Sequence, residues 1–266
     1  MMKLLTLFLI FAPLFSFSQK ENKEIAKHKI EPNTAWHADI LGNLYIAEKD
    51  LLTKYDTSNV KQYSQSIKSK GRISSILSIN TMRIVLFSEQ QQTFTLMDNT
   101  LSEANKTYDL SELGFVYVPL MAVSSQPNKF WIYDQANAKL VLLDLSRTNQ
   151  QQEIDNVRGI LNSTEILWMK EDNNILYLFD SNHKLYSFDL YGSLIDVLEF
   201  PDSEFLEIHN GEIFLIKDFG IFRYRKEDES LESLNINFSG IIGFQWTNNT
   251  FFVQSKWELL KYRINL

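Results

Sequence analysis

The chain contains no cysteine, which excludes disulfides, thiolate metal sites, a cysteine nucleophile and a lipid-modified cysteine. Glycine is also scarce, with nine in 266 residues. The sequence has no Gly-x-Ser-x-Gly elbow, no glycine-rich phosphate loop and no dinucleotide fingerprint. Its four histidines are far apart and form no His-Glu-x-x-His motif. Serine hydrolysis and nucleotide chemistry therefore find no support in the sequence.

Positive charge is in deficit as well. Lysine and arginine number 26 against 33 aspartates and glutamates, giving a net charge of −7 with no basic block. A nucleic-acid surface needs clustered lysine and arginine, so no nucleic-acid partner is predicted. Aromatic residues are plentiful at 13%, and hydrophobic residues make up 44% of the chain. This composition favours a large core rich in β-forming residues.

The N-terminus has the pattern of a secretory signal peptide. Lys3 precedes an apolar run over Leu4–Phe17 that is interrupted by Pro13. Small residues, Ser16 and Ser18, stand at positions −3 and −1 of a cleavage site after Ser18. A transmembrane helix needs about 20 apolar residues, and this run is shorter. The sequence thus predicts a signal peptide over residues 1–18.

The remaining residues, 19–266, contain no run apolar enough to span a membrane and are predicted to form a single domain. We expect this domain to be exported to the periplasm or to the extracellular or outer surface. The Ser-Phe-Ser-Gln sequence at the cleavage site resembles signal peptides of flavobacteria and related Bacteroidota. That resemblance implies a Gram-negative export product.

A pair of β-rich runs recurs six times along the chain. Each pair consists of an apolar run, a short polar turn and a second run that ends at a charged residue. These end residues are Asp56, Asp98, Asp144, Asp189, Arg225 and Arg263. Successive end residues are 42, 46, 45, 36 and 38 positions apart. This period is typical of a propeller blade of four strands.

Each period has room for an inner strand before the pair, such as Glu165–Met169 or Phe205–His209, and a more polar outer strand after it, such as Leu194–Phe200. After Arg263 only three residues remain, so the last blade lacks its outer strand. A spare β-rich run over Glu24–Ile30 can supply that strand. The sequence therefore predicts an all-β fold with almost no helix: a six-bladed β-propeller of four-stranded blades, closed by an N-terminal strand.

Two blades resemble the NHL repeat of six-bladed propellers. The first reads Asp39-Ile-Leu-Gly-Asn-Leu-Tyr-Ile-Ala-Glu, in which an Asp-Gly-Asn turn precedes a strand that carries tyrosine. The other is the third pair, Lys129-Phe-Trp-Ile-Tyr-Asp followed by Lys139-Leu-Val-Leu-Leu-Asp. The resemblance implies an interaction platform more often than an enzyme. Trp-Asp dipeptides of the WD40 class are absent.

The predicted functional residues lie in the turns between the second and third strands of the blades, which we expect to gather around one mouth of the central channel. Aspartate and asparagine are common in tight turns for structural reasons. A ring of such side chains would nevertheless suit a sugar, a peptide or a cation. The candidate ligand-binding residues are Glu48, Asp50, Asp134, Asn137, Asp180, His183, Asp218 and Trp257.

Two functions remain open from the sequence. The first is a non-catalytic exported binding or scaffold protein that engages a protein or glycan at the channel mouth. The alternative is a divalent-metal-dependent hydrolase similar to propeller lactonases, with oxygen ligands among Glu48, Asp134, Asn137 and Asp180. The sequence favours binding because it lacks a catalytic set, and it predicts no cofactor and assigns no metal ligand or catalytic residue.

Overall fold

The computed structural model describes residues 23–147, 151–163, 165–203, 205–237, 240–248 and 250–263. The predicted signal peptide lies outside these residues. The described strands form six four-stranded antiparallel sheets arranged as the blades of a ring. Strand β1 (Lys23–Lys29) comes first in the chain but belongs to the last blade. The other five blades each consist of four consecutive strands, ordered from the innermost to the outermost.

Blade 1 contains β2 (Ala35–Ala38), β3 (Leu44–Glu48), β4 (Leu51–Tyr55) and β5 (Lys61–Ser66). Blade 2 contains β6 (Ser75–Asn80), β7 (Arg83–Ser88), β8 (Thr93–Asp98) and β9 (Glu103–Asp109). Blade 3 contains β10 (Leu120–Val123), β11 (Lys129–Asp134), β12 (Lys139–Asp144) and β13 (Gln152–Ile154).

Blade 4 contains β14 (Ile166–Asp172), β15 (Ile175–Asp180), β16 (Lys184–Phe188) and β17 (Leu194–Glu199). Blade 5 contains β18 (Phe205–His209), β19 (Glu212–Lys217), β20 (Gly220–Arg225) and β21 (Ser230–Asn237). Blade 6 contains β22 (Ile241–Thr247), β23 (Thr250–Ser255) and β24 (Glu258–Arg263), and β1 completes it.

The N-terminal strand closes the ring, as the sequence predicts. Strand β1 pairs antiparallel with β24, from Lys23 opposite Arg263 to Lys29 opposite Glu258. Every blade therefore has four strands, and the first and last blades are joined by hydrogen bonds between the two ends of the chain. These findings confirm the six-bladed propeller and its closure.

Helix is almost absent from the described residues. It comprises a five-residue α-helix, α1 (Val157–Leu161), and a single 3₁₀ turn at Lys68–Lys70. Within the same residues, no helix is long and apolar enough to cross a bilayer.

The middle strands of each blade carry the core, which lies between neighbouring blades. Trp131 and Leu142 of blade 3 pack in one cluster with Met169 and Leu178 of blade 4. Strands that are covered by a blade on both faces read as continuous apolar runs, which explains the runs seen in the sequence. The outer strand β5 is instead exposed along its whole length.

The periodic aspartates terminate the third strand of their blades. The Asp56 carboxylate accepts hydrogen bonds from the backbone N–H of Ser58 at 2.9 Å and of Val60 at 2.8 Å. Asp98 and Asp189 make the same bonds to residues two and four positions further along. A short acidic side chain satisfies these turn N–H groups well, so the repeat in the sequence reflects turn chemistry.

Some strand bounds differ from those predicted. The inner strand of blade 4 was predicted over Glu165–Met169 but runs over Ile166–Asp172. It extends because pairing with β15 continues to Asp172 opposite Ile175, where a tight turn joins the strands. The turn residues Asn173 and Asn174 both have positive φ, at 50° and 63°, a conformation that asparagine tolerates better than most residues.

Candidate functional site

Two of the predicted site residues, Asp134 and Asn137, are fixed within blade 3. Asp134 ends β11 and is only 2% exposed. Its carboxylate accepts hydrogen bonds from Val116 N–H at 3.1 Å and Tyr117 N–H at 3.4 Å, which anchors the loop that leads into the blade. It also accepts the side-chain N–H of Asn137 at 2.8 Å. Both polar groups therefore hold turn and loop backbone in place.

Asp180 and His183 have similar roles in blade 4. Asp180 is fully buried, and its carboxylate accepts Lys184 N–H at 2.9 Å and the Tyr186 hydroxyl at 3.3 Å. The His183 ring nitrogen Nδ1 lies 2.9 Å from the Ser203 carbonyl oxygen. His183 itself has a φ of 60°, as a residue at a tight hairpin turn.

The other predicted residues lie at the hairpin turns. Glu48 ends β3, and the carbonyl of Asp50 accepts the N–H of Ile67 at 2.8 Å. Asp218 precedes Phe219, which is 62% exposed. Trp257 is 56% exposed, and the Lys256 ammonium lies 5.6 Å from its ring centroid.

None of the eight predicted residues lines either of the two cavities described below. Their contact with a ligand stays a prediction. Across the part of the chain that the structure describes, no group of three or more histidine, aspartate or glutamate side chains is placed to hold a metal ion.

The ring encloses two connected cavities. One occupies the central channel, with a volume of about 510 Å³. The other lies at the mouth, with a volume of about 1000 Å³. They share Ser74, Glu89, Ile242 and Gln254, so the mouth opens directly into the channel. Polar side chains dominate the rest of the mouth, including Asn33, Thr34, Arg72, Gln90, Gln92 and Tyr117.

One layer of the channel wall contains one residue from the inner strand of each blade. Each of these six residues is paired with a residue of the second strand of its own blade, three positions before that strand ends. The six residues therefore occupy equivalent positions in their blades. In blade order they are His37, Leu77, Ala122, Lys170, Glu207 and Gln245. The four polar members, Lys170, Glu207, Gln245 and His37, come from the adjacent blades 4, 5, 6 and 1, respectively, and we call them the polar arc.

Lys170 and Glu207 form an ion pair at one end of the polar arc. The Lys170 ammonium also donates to the Ile208 carbonyl at 2.5 Å. Glu207 is only 5% exposed, and its burial raises the pKa of the carboxyl group, while Lys170 opposes that shift. The two charges cancel, so this end of the polar arc is polar but carries no net charge.

Gln245 and His37 form the other end. The Gln245 carbonyl accepts Ala38 N–H at 2.9 Å, and its amide donates to the Ala38 carbonyl at 2.8 Å. These two bonds fix the amide orientation and direct an N–H toward His37 Nδ1 at 3.4 Å. His37 Nδ1 is then the acceptor, so the proton resides on Nε2, which lies 2.8 Å from the Ser78 hydroxyl.

His37 is neutral at physiological pH. Burial in the channel, reinforced by the Lys170 charge, lowers the pKa of His37 to about 3. A neutral His37 donates one hydrogen bond and accepts one. The Ser78 hydroxyl oxygen accepts the hydrogen bond from Nε2–H, so the Ser78 O–H can donate to another group.

Aromatic side chains line the channel beside the polar arc. They are Trp36, Phe87, Trp168, Phe205 and Phe244. Trp168 and Phe205 lie two residues before Lys170 and Glu207, on the same side of their strands and nearer the mouth. The indole N–H of Trp36 donates to the Gln254 side chain at 2.6 Å. The channel thus has aromatic walls above a polar layer.

The residues of the polar arc were not among the predicted site residues, which all lie at turns between the second and third strands. The signal of the polar arc is a polar residue that interrupts an inner-strand run, such as Lys170 after Leu167-Trp168-Met169. Trp36 and Trp168, which stand in inner-strand runs, also line the channel.

The fold is similar to several solved structures. The WD40 domain of Pan2 from Neurospora crassa aligns with a TM-score of 0.64 at 8% identity, covering 92% of this chain and 96% of that chain. Virginiamycin B lyase from Staphylococcus aureus aligns with a TM-score of 0.62 at 9% identity, covering 92% and 100%. A chain of the mitotic checkpoint complex also gives 0.62 at 9% identity, covering 100% and 99%.

No protein-family model matches the sequence, and no curated protein matches it. At identities of 8–9%, the structural likeness shows the propeller fold alone. The NHL-like repeat and the flavobacterial origin stay predictions.

Proposed function

We propose that this chain is an exported, non-catalytic binding propeller that engages a protein or glycan at the mouth of its central channel. The observation that carries the proposal is the continuous cavity formed by the mouth and the channel. Ligand sites in proteins are concave, are partly apolar and carry a few placed polar groups. The mouth supplies amide, guanidinium, carboxyl and hydroxyl groups, and the channel supplies aromatic rings.

A second feature supports a partner at this face. The hairpin turns of blades 5 and 6 present the exposed side chains of Phe219 and Trp257. Large exposed aromatic residues are enriched in protein interfaces. The sequence-based alternative, a metal-dependent hydrolase, gains no support from the described residues, since they contain no candidate metal cluster.

Export is part of the proposal and rests on the N-terminal sequence. The charged start, the apolar run of Leu4–Phe17 and the Ser16-Phe17-Ser18 ending are those of a signal peptide. Mass spectrometry of the protein from its native cells should find an N-terminus at Gln19 in the periplasmic or outer-surface fraction. Recovery of an intact Met1 N-terminus from the cytoplasm would contradict export.

Binding at the mouth is tested by capture from envelope extracts. Tagged protein should retain a specific partner or glycan that is lost when Arg72 and Gln90, which both line the mouth, are replaced by alanine. The matched control replaces Leu194 and Ile195, exposed on the outer strand β17, by serine and should still capture it. Equal capture by the mouth variant, or loss only in the β17 variant, would contradict the proposal.

A further inference from the structure

The channel below the mouth offers hydrogen-bonding groups that the described contacts do not use up. Lys170 donates to Glu207 and Ile208, and an ammonium has three N–H donors. Glu207 is bonded through Oε1 in the described contacts, so Oε2 can accept. The Ser78 hydroxyl oxygen accepts the hydrogen bond from His37 Nε2–H, so its own O–H can donate to a ligand. Donors and an acceptor thus face the same space.

The wall contributed by blade 2 adds further hydroxyls. Ser74, Ser75 and Ser78 all line the channel cavity. On blades 4 and 5, the partly buried rings of Trp168 and Phe205 line the same cavity. The space is therefore amphipathic: rings and the Lys170–Glu207 pair line it on blades 4 and 5, and serine hydroxyls line it on blade 2.

Charge narrows the class of ligand. The Lys170 and Glu207 charges cancel, and His37 is uncharged, so a charged ligand would find no unpaired counterion in the polar arc. Two other carboxylates line the cavity: Glu89 accepts the Tyr117 hydroxyl, and Glu171 accepts the Trp131 indole N–H and the Ser125 backbone N–H. A charged ligand would also lose its hydration on entering the channel. The Lys170 and Glu207 charges already neutralise each other, so they would not compensate this desolvation penalty. A neutral ligand with several hydroxyls avoids this cost, because hydroxyls both donate and accept.

From this geometry we infer that the channel is a subsite for one neutral sugar residue, with its apolar C–H face against Trp168 and its hydroxyls on Lys170, Glu207 and Ser78. The cavity of about 510 Å³ lies within the size range of small-molecule sites and has ample room for a single ring. The inference rests on the proposed function and deepens it, since a glycan at the mouth would insert its terminal residue here.

The test is saturation-transfer NMR with purified protein and a panel of glucose, galactose, mannose and N-acetylglucosamine. At least one of these neutral sugars should bind. Glucosamine and glucuronic acid, which carry opposite charges, should bind more weakly than that sugar. Tighter binding of either charged sugar, or binding of none of the neutral ones, would overturn the inference.

Variants locate the subsite. Trp168→Ala should weaken the neutral sugar about tenfold, which corresponds to a lost stacking contact. Ser78→Ala should also weaken binding, and it removes few packing atoms. Tyr191→Ala, at an exposed turn of the same blade as Trp168 but outside the channel cavity, is the matched control and should bind like the unchanged protein. Unchanged binding by both Trp168→Ala and Ser78→Ala would place the sugar elsewhere and overturn the inference.

Folding and function are separated by two further readouts. Trp168→Phe keeps an aromatic ring and should recover part of the affinity, and thermal melts report whether each variant is folded. If no neutral sugar binds but the Arg72 and Gln90 variant still abolishes capture from envelope extracts, the subsite is wrong and the mouth proposal stands. If sugar binding depends on Trp168 while capture ignores the mouth residues, the mouth proposal fails instead.

Discussion

The Lys261 ammonium donates a hydrogen bond of 2.9 Å to the carbonyl oxygen of Thr57, 204 residues earlier in the chain. Lys261 belongs to blade 6 and Thr57 to a turn of blade 1, so this bond crosses the seam where the ring closes. Lys261 is 3% exposed, and its ammonium lies 5.3 Å from the ring centroid of Phe252. Its burial lowers the pKa of Lys261 below the usual value, but the paired carbonyl oxygen and the ring stabilise the charge.

Lys261→Met should destabilise the protein by about 1–3 kcal/mol, because the carbonyl oxygens of Thr57 and of the buried residue Gly42 lose their donor. Urea unfolding of the two proteins measures the difference. Lys256→Met, at an exposed turn of the same blade, is the control and should change stability by less than about 0.5 kcal/mol. An equal urea midpoint for Lys261→Met and the unchanged protein would show that this bond does not stabilise the closed ring.

The N-terminal segment contributes packing as well as pairing. Ile30 follows β1, is 4% exposed and packs in a cluster with Leu44, Phe252 and Leu259 from blades 1 and 6. Ile30→Ala should cost about 2–4 kcal/mol, the usual penalty for deleting a buried aliphatic side chain.

The matched control for Ile30 is in the same segment. Ile25 lies in β1 but is 36% exposed, so Ile25→Ala should have a much smaller effect. Thermal melts of both variants provide the comparison. Equal melting temperatures for Ile30→Ala and Ile25→Ala would mean that the N-terminal segment does not seal the ring.

His37 makes stability depend on pH. Its pKa is lowered from 6.5 to about 3 in the folded protein, so folding favours the neutral ring. That contribution is fully present above pH 6.5 and is lost as the pH falls from 6.5 toward 3. Lys170 adds to the shift, while Glu207 pairs with Lys170 nearby.

The comparison is made with His37→Gln, which cannot titrate. Unfolding free energies measured at about pH 7.5 and about pH 5 should show the unchanged protein losing more stability on acidification than the variant. Parallel losses in the two proteins would show that His37 is not held neutral in the channel.

Asp134 tests whether a predicted site residue is structural. Asp134→Ala leaves the N–H groups of Val116 and Tyr117 without their carboxylate acceptor and should cost about 1–3 kcal/mol. The control is Asp155→Ala in the same blade. The Asp155 side chain is 71% exposed, so this substitution should change stability little. A stable Asp134→Ala variant with impaired ligand capture would instead support the predicted binding role.

The fold was accessible from the sequence because its signals are local. Asp56 and its equivalents cap turns within their own hairpins, and each apolar run pairs with its neighbour in the chain. Even the closing strand was found, since the last blade lacked one strand and a β-rich run remained at the N-terminus. The strand bounds shifted where bulges and asparagine turns extended the pairing, as in β14.

The polar arc was not accessible in the same way. Lys170 and Glu207 are 37 residues apart, and Gln245 and His37 are 208 residues apart. They meet only because the ring brings equivalent positions of the inner strands to one level. Asp134 and Asp180 were predicted as site residues because they are acidic residues at turns. Residue type alone does not distinguish a carboxylate that contacts a ligand from one that accepts hydrogen bonds within its own turn.

Hydrogen–deuterium exchange with and without the captured ligand tests the central claim most directly, because it reports which backbone becomes protected on binding. We predict protection in peptides that line the mouth and the channel, around residues 72–78, 117–123, 165–171 and 241–247. Protection confined to outer strands such as Leu194–Glu199, with the inner strands unchanged, would contradict a function located at the channel.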